Sequence, residues 1–263
     1  MPKIIAHRGA SRHAPENTIA AFRRAIEDGA EGIEFDVRLT RDGEAVVFHD
    51  RTLKRTARRK GKLAELTAAE AKNLDVGSWF DRANGNGKAS QFANETVPTL
   101  GEALDSLAEF DGTIYVEIKC READVEPLTR RVAEIINASG RTERFIVKSF
   151  KLAAIPLIKE FCPGIRTAAL FAPKIKNLLR KDKYLVRLAK DTGADQISVH
   201  YSLATRKLIK KARKHGLSVA IWTADNPRWV KRAFRLGLCA IITNDPGRLL
   251  EKRRSLEARL STA

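Results

Sequence analysis

Eight short β-type runs, most of them separated by a helix-like stretch, constrain this 263-residue chain more than any other feature. The runs are Lys3–His7, Gly32–Val37, Thr113–Lys119, Phe145–Phe150, Arg166–Phe171, Gln196–Tyr201, Ser218–Thr223 and Ala240–Asn244. Pro15–Asp28, Glu126–Ala138, Leu152–Phe161, Ile175–Asp191, Ala204–His215 and Pro227–Leu236 read as helices. Gly193, Gly216 and Gly237 stand where three of them should stop. Such alternation requires parallel strands joined by right-handed crossovers. A ninth run, Ala45–Asp50, follows Val37 too closely for a helical crossover and suits a hairpin. Asp42-Gly43 signals a two-residue turn; counted outward from it, Asp36 falls opposite His49, and directly opposed side chains share a face. With the hairpin set aside, eight parallel strands predict an α/β fold, a (β/α)8 TIM-type barrel. Its functional side chains are expected at the C-terminal ends of the strands.

Residues 51–98 break the rhythm. They are expected to form a small insertion over the barrel mouth, within a single domain spanning residues 1–263. Thr67 and Glu70 have capping-box spacing for a short helix, Gly85–Asn94 reads as a loop, and Pro98-Thr99-Leu100 restarts a helix that runs to Leu107. No run approaches the roughly 18 apolar residues of a membrane span. Ile4-Ile5-Ala6 is too short for the apolar core of a signal peptide. Cys120, Cys162 and Cys239 lie far apart, without zinc or disulfide spacing. The expected location is the cytoplasm, and Cys120 is expected to be a bystander.

Four segments carry the chemistry: Ile5-Ala6-His7-Arg8-Gly9-Ala10, Gly32-Ile33-Glu34-Phe35-Asp36-Val37, Val47-Phe48-His49-Asp50 and Val116-Glu117-Ile118-Lys119. Glu34 and Asp36 are two apart on a strand and so share a face, as do Glu117 and Lys119. Acids inside a barrel are costly unless a cation joins them. One divalent ion held by Glu34, Asp36 and Glu117 would satisfy all three, and an all-oxygen set points to Mg²⁺ or Ca²⁺ rather than zinc. An ion-pair lattice with Arg8 and Lys119 is the competing arrangement. His7 and His49 would flank a phosphate as an acid–base pair, and Arg8 and Lys119 would donate to its non-bridging oxygens. Together these residues suit the cleavage of a phosphate ester.

In this order and spacing the segments closely resemble the glycerophosphodiester phosphodiesterase family, and the resemblance runs nearly the whole chain. It implies the same roles for the same seven positions. Gly77–Phe80, Val97–Leu100 and Ala220–Asn226 match its pattern, while Thr243-Asn244-Asp245 departs from the more usual Thr-Asp of its closing strand. Trp222 is expected to pack on the glycerol carbons. Phe150 and His200 are further candidates for the mouth; His13 and His215 are not. The implied reaction is metal-dependent hydrolysis of deacylated phospholipids, such as glycerophosphocholine, to glycerol 3-phosphate and an alcohol. Water or the neighbouring glycerol hydroxyl would serve as nucleophile.

An excess of Lys and Arg, 49 against 32 acids, leaves a net charge of +17, concentrated in Arg51–Lys62, Lys174–Arg187, Arg206–Lys214 and Arg248–Arg259. This field favours anionic partners: a phosphodiester substrate foremost, and an anionic membrane surface next. Two alternatives follow, a lysolipid-cleaving phospholipase D at a membrane, and a basic nucleic-acid-binding protein on an inactive barrel. No binding motif with interleaved aromatics supports specific nucleic-acid recognition.

Overall fold

The computed structural model describes residues 1–83, 91–173 and 182–261. Its strands are β1 (Lys3–His7), β2 (Gly32–Leu39), β3 (Ala45–Val47), β4 (Thr113–Ile118), β5 (Phe145–Ser149), β6 (Arg166–Phe171), β7 (Gln196–His200), β8 (Ser218–Trp222) and β9 (Ala240–Thr243). All pair in parallel in the order β1-β9-β8-β7-β6-β5-β4-β2 except β3, which adds to β2 antiparallel. A β1–β2 pairing closes the ring into an eight-stranded barrel. Around it run α1 (Ile19–Glu27), α2 (Ala68–Lys72), α3 (Ser78–Ala83), α4 (Leu100–Asp105), α5 (Val125–Ala138), α6 (Ala154–Phe161), α7 (Asp182–Asp191), α8 (Arg206–Lys214), α9 (Arg228–Leu236) and α10 (Pro246–Ser261). The predicted barrel is therefore present. Among the described residues no helix is long and apolar enough to cross a membrane.

Inward-facing Ile5, Tyr115, Ile146, Ala168, Ala220, Ala240 and Ile242 fill the barrel. Two residues further along the same strands, and so on the same face, stand His7, Glu117, Lys148, Trp222 and Asn244. The polar site is the next layer above the apolar plug. Alternate outward positions such as Ile33, Phe35, Val116 and Val147 pack beneath the helices.

Most strand bounds match the expected ones within two residues, because buried parallel strands read as near-continuous apolar runs. The first helix is shorter than expected. Residues from Pro15 do not begin it; Thr18 does, its hydroxyl accepting from Ala21 N and donating to Pro15 O, while Asn17 sits at φ +61°. The helix restarting at Leu100 ends at Asp105 and is capped by a Thr99–Glu102 box, and the Thr67–Glu70 box stands as expected. The stretch expected as helix from Ile175 is described only from Asp182. Residues 174–181, and the part of the 85–94 loop up to residue 90, lie outside the described residues.

The hairpin register corrects the sequence reading. Val37 pairs with Val47 and Leu39 with Ala45, so Asp36 lies opposite Phe48, whose N–H donates to Asp36 O at 2.9 Å, and not opposite His49. Arg41, Asp42 and Gly43 form a three-residue turn between Thr40 and Glu44, with Gly43 at φ +81°. The physical reason is docking. The Asp42 carboxylate accepts from Ala68 N at the start of α2 and Arg41 N donates to Leu66 O, so the turn is shaped by the 51–98 segment. That segment has its own apolar cluster, with Leu53, Leu63, Leu74, Val76 and Val97 packed on Val46 and Phe48. β3 accordingly ends at Val47 instead of continuing to Asp50.

Candidate active site

The ladders deliver the site residues side by side. His7 is the register partner of Glu34, Asp36 of Glu117, and Glu117 in turn of Lys148. Glu34, Asp36 and Glu117 are buried, with ligand oxygens within 4.8 Å of one another. Arg8 Nε lies 3.1 Å from Asp36 Oδ2, and Lys119 Nζ is 3.3 Å from Asp36 Oδ1 and 2.5 Å from Glu117 Oε1. Lys148, fully buried, stands between the remaining pair, 2.7 Å from Glu34 Oε1 and 3.4 Å from Glu117 Oε2. Three acids thus meet three cations, one more than the sequence reading supplied. Burial alone would raise Glu34 and Asp36. Lys148 and His7 hold Glu34 below the usual carboxylate range, and Arg8, Lys119, His49 and Asn17 hold Asp36 far below it. Burial opposes the charge on both lysines, yet Glu34 and Glu117 raise Lys148, and Asp36 and Glu117 raise Lys119, so both remain ammonium ions.

The residues present fit a divalent cation. Glu34 Oε1, Asp36 Oδ1 and Glu117 Oε1 are buried and are met by lysine ammonium groups alone among the described residues, at 2.7, 3.3 and 2.5 Å. Two oxygens bound to one ion at about 2.0–2.6 Å lie no more than about 5 Å apart, which the 4.8 Å limit satisfies. An all-carboxylate set of this size suits a hard ion.

Each histidine is oriented through Nδ1. Asn244 Oδ1 is 2.7 Å from His7 Nδ1; because Asn244 Nδ2 donates to Asp225, the amide is fixed and Oδ1 is the acceptor. His7 therefore carries its proton on Nδ1 and presents Nε2, which is 3.9 Å from Glu34. His49 Nδ1 donates to Asp50 at 2.7 Å, Asp50 is held by Arg55, and Arg55 also grips Glu16, the partner of Arg8. Arg38 Nε donates to the His49 carbonyl at 2.7 Å. His49 faces Asp36 through this relay and not through hairpin pairing. Burial lowers its pKa below the ordinary histidine value, with Arg8 and Lys119 adding to the effect against Asp36.

Backbone strain collects here too. Arg8 (φ +56°) and Asn17 (φ +61°) are left-handed, a conformation costing about 1–3 kcal/mol in a non-glycine residue. It lets Arg8 N donate to Glu34 and places the Asn17 amide on Asp36. At Gly9, φ is +79° and a Cβ would come within 2.5 Å of Ala21, so only glycine fits the close approach of α1.

Of the candidates outside the charged cluster, Trp222 reaches the mouth. Its indole N–H donates to Ser198 O, and its ring meets Phe150 and His200 edge-on at 5.6 and 5.5 Å. Lys119 Nζ lies 5.8 Å from the Phe150 ring centre, which joins this aromatic wall to the cations. His13 pairs with Asp245, and His215 closes α8; neither joins the cluster. The three thiols are unpaired, and burial pushes Cys120 up to about 11, consistent with a bystander.

Sequence reasoning missed Lys148, Asn17, Glu16, Arg55, Asp50, Asn244 and Asp225. A signal existed for Lys148: a lysine in the apolar run Phe145-Ile146-Val147-Lys148, on the inward parity of Ile146, seldom lies in such a strand without a buried acid. Asn244 lies in the one motif that departs from the usual pattern, and it is the residue that orients His7.

The sequence model of the glycerophosphoryl diester phosphodiesterase family matches residues 7–248. A glycerophosphodiester phosphodiesterase of Caldanaerobacter subterraneus is 33% identical over 253 residues, covering 94% of this chain and 96% of that protein. Among solved structures, a phosphodiesterase from Oleispira antarctica, in complex with the product sn-glycerol-3-phosphate, superposes with a TM-score of 0.83 at 26% identity, covering 96% of both chains. One from Silicibacter pomeroyi, described as a glycerophosphoryl diester phosphodiesterase, superposes at 0.86 with 25% identity, covering 98% of this chain and 94% of that one. With the barrel, the charged cluster and these matches in agreement, the chain belongs to the glycerophosphoryl diester phosphodiesterase family of phosphoric diester hydrolases.

Proposed function

We propose that the chain hydrolyses glycerophosphodiesters such as glycerophosphocholine and glycerophosphoethanolamine to glycerol 3-phosphate and the free alcohol. The observation that carries this reading is the convergence of two histidines, two cationic side chains and three carboxylates on one barrel end. Arg8 and Lys119 bind the non-bridging phosphate oxygens. One histidine takes the proton of the nucleophile as its oxygen bonds to phosphorus. The other protonates the alkoxide as the P–O bond breaks. The nucleophile is water, or the neighbouring glycerol hydroxyl, in which case a cyclic phosphate forms first and water then opens it to glycerol 3-phosphate. Trp222 packs on the glycerol carbons and, with Phe150, keeps water from that side.

Glu34, Asp36 and Glu117 would hold one Mg²⁺ or Ca²⁺, which when bound supplies positive charge against the phosphate. Loading would bring a further +2 among Arg8, Lys119 and Lys148. An anionic substrate offsets that charge, so ion and phosphodiester should bind with positive cooperativity. We read residues 1–263 as one catalytic barrel domain with 51–98 inserted in it, working in the cytoplasm on a small-molecule substrate.

The test is turnover of glycerophosphocholine with Mg²⁺ or Ca²⁺ against EDTA. Activity should vanish in EDTA, and Glu117→Gln should lose cation binding by calorimetry while keeping its circular dichroism. Full activity in chelator would remove the metal assignment.

A second reading, cleavage of lysolipids at an anionic membrane, is favoured by Phe150 and Tyr201, both exposed at the mouth. Turnover of lysophosphatidylcholine above that of glycerophosphocholine would select it. Salt-titrated DNA binding should show only weak, sequence-independent affinity.

A further inference from the structure

The rim of the mouth on the Lys119 side carries more positive charge than the reaction centre uses. A cavity of about 440 Å³ opens there beside the ends of β2, β4 and β5, lined by Arg38, Arg51, Lys119, Arg121, Phe150 and Lys151 among others. A smaller hollow adjoins it and shares Arg38, Arg51, Lys119 and Arg121. The acids along both are already engaged: Glu117 with Lys119 at 2.5 Å, Glu122 with Lys151 at 2.5 Å and Asp124 with Arg121 at 2.7 Å.

Arg38 and Arg51 are left over. Among the described residues no carboxylate forms an ion pair with either. The partly buried Arg38 side chain spends Nε and Nη1 on the His49 and Lys119 carbonyls, at 2.7 and 3.3 Å. Those acceptors orient the guanidinium, while Asp36, Asp50 and Glu117 act on its charge only from beyond ion-pair distance. The Arg51 side chain is exposed. Arg38 and Arg51 line one hollow without a paired acid, so an anion entering it would meet two guanidinium groups and relieve their mutual repulsion. Guanidinium forks match phosphate oxygens two at a time.

We propose that Arg38 and Arg51 form a second phosphate subsite, which receives a phosphate carried by the alcohol part of the diester. It rests on the diesterase reading above and narrows its substrates to glycerophosphodiesters whose alcohol is itself phosphorylated. The aromatic wall of Trp222 and His200 lies on the other side of Phe150, which leaves the basic hollow to the alcohol.

The experiment compares two matched substrates, glycerophosphoglycerol and bis(glycerophospho)glycerol, in which the same alcohol carries a second phosphodiester. The expected kcat/KM is about 10-fold higher for the second, the scale of one charge-assisted contact, and the advantage shrinks as salt is raised. Arg51→Ala should reduce the advantage to within about 2-fold while leaving glycerophosphoglycerol turnover unchanged, and Arg51→Lys should keep part of it. Calorimetry of the bis-diester on wild type and Arg51→Ala reads the subsite without turnover, with an affinity loss of about 10-fold expected. Equal kcat/KM for both substrates, or a preference and an affinity unmoved by Arg51→Ala, would overturn the subsite alone. If neither substrate turns over, the diesterase reading falls, and the calorimetry still decides the subsite.

Discussion

Replacing Lys148 by methionine should destabilise the protein by about 3–5 kcal/mol in EDTA, the usual cost of removing one partner from a buried ion pair. The lysine is fully buried, 2.7 Å from Glu34 and 3.4 Å from Glu117. Methionine keeps the length and the apolar stem but not the charge. Glu34 would then keep only the more distant Arg8 as a positive neighbour, and Glu117 would keep Lys119. Both carboxylates would sit in low dielectric with one cation too few. Urea unfolding in EDTA measures the loss. Added Ca²⁺ or Mg²⁺ should recover part of it, because an ion bound by Glu34, Asp36 and Glu117 restores the missing charge and stabilises by mass action. Lys148→Arg offers a second check: the charge is kept but the fork is too large for the space, so a partial loss is expected. Wild-type stability of Lys148→Met in EDTA would show that Lys148 is not the counter-ion of this cluster. A destabilised variant indifferent to divalent ions would count against the metal site.

Turnover of glycerophosphocholine should fall by at least about 10²-fold in either His7→Ala or His49→Ala, the common scale for losing a positioned acid or base. The two imidazoles are held in the same way, with Nδ1 satisfied by Asn244 or Asp50. Substrate affinity should fall less, since in the proposed reaction Arg8 and Lys119 bind the phosphate oxygens. A nitrophenyl phosphodiester, whose leaving group needs little protonation, should rescue the variant that lacks the acid and not the one that lacks the base. The rescue therefore assigns the roles. Near wild-type turnover by both variants would reduce the histidines to supports for Glu34 and Asp36. Asn244→Ala and Asp50→Ala act one step further out and should cost less than the histidine changes, lowering kcat more than they raise KM.

How legible the site was depended on how local each relation is. Glu34 and Asp36 share a face because strand geometry alternates every residue, whatever the strand packs on. The same rule joins Glu117 to Lys119, and it needs only that each run be a strand. The helix stops at Gly193, Gly216 and Gly237 are local in the same sense, with φ near +70° at all three. The alternation of runs and helices leaves few topologies open, and the closed barrel is the one observed.

Relations between distant segments were a different matter. Lys148 enters the cluster because β5 lies beside β4 in a register that sets it next to Glu117. Nothing within Phe145–Ser149 states that register. Asn244 meets His7 across the β1–β9 pairing, 237 residues apart in the chain. Arg55, Glu16 and Asp50 become one relay only when the 51–98 segment folds back over β1. The hairpin shows the difference most directly. Asp42-Gly43 is a sound local signal for a two-residue turn, yet Asp42 is used by the backbone of Ala68 and Arg41 by Leu66, so the turn takes three residues and the register moves by one. By itself, then, the sequence determined the strand–helix alternation of the barrel and the shared faces of Glu34 with Asp36 and of Glu117 with Lys119, which follow from backbone periodicity. His7, His49 and Arg8 were singled out by their motifs and the family resemblance. Only the tertiary structure decided which buried cation balances the acids, what aims each histidine and where the hairpin turns. Those depend on ladder register and on docking between segments, whose energies are absent from any one stretch of chain.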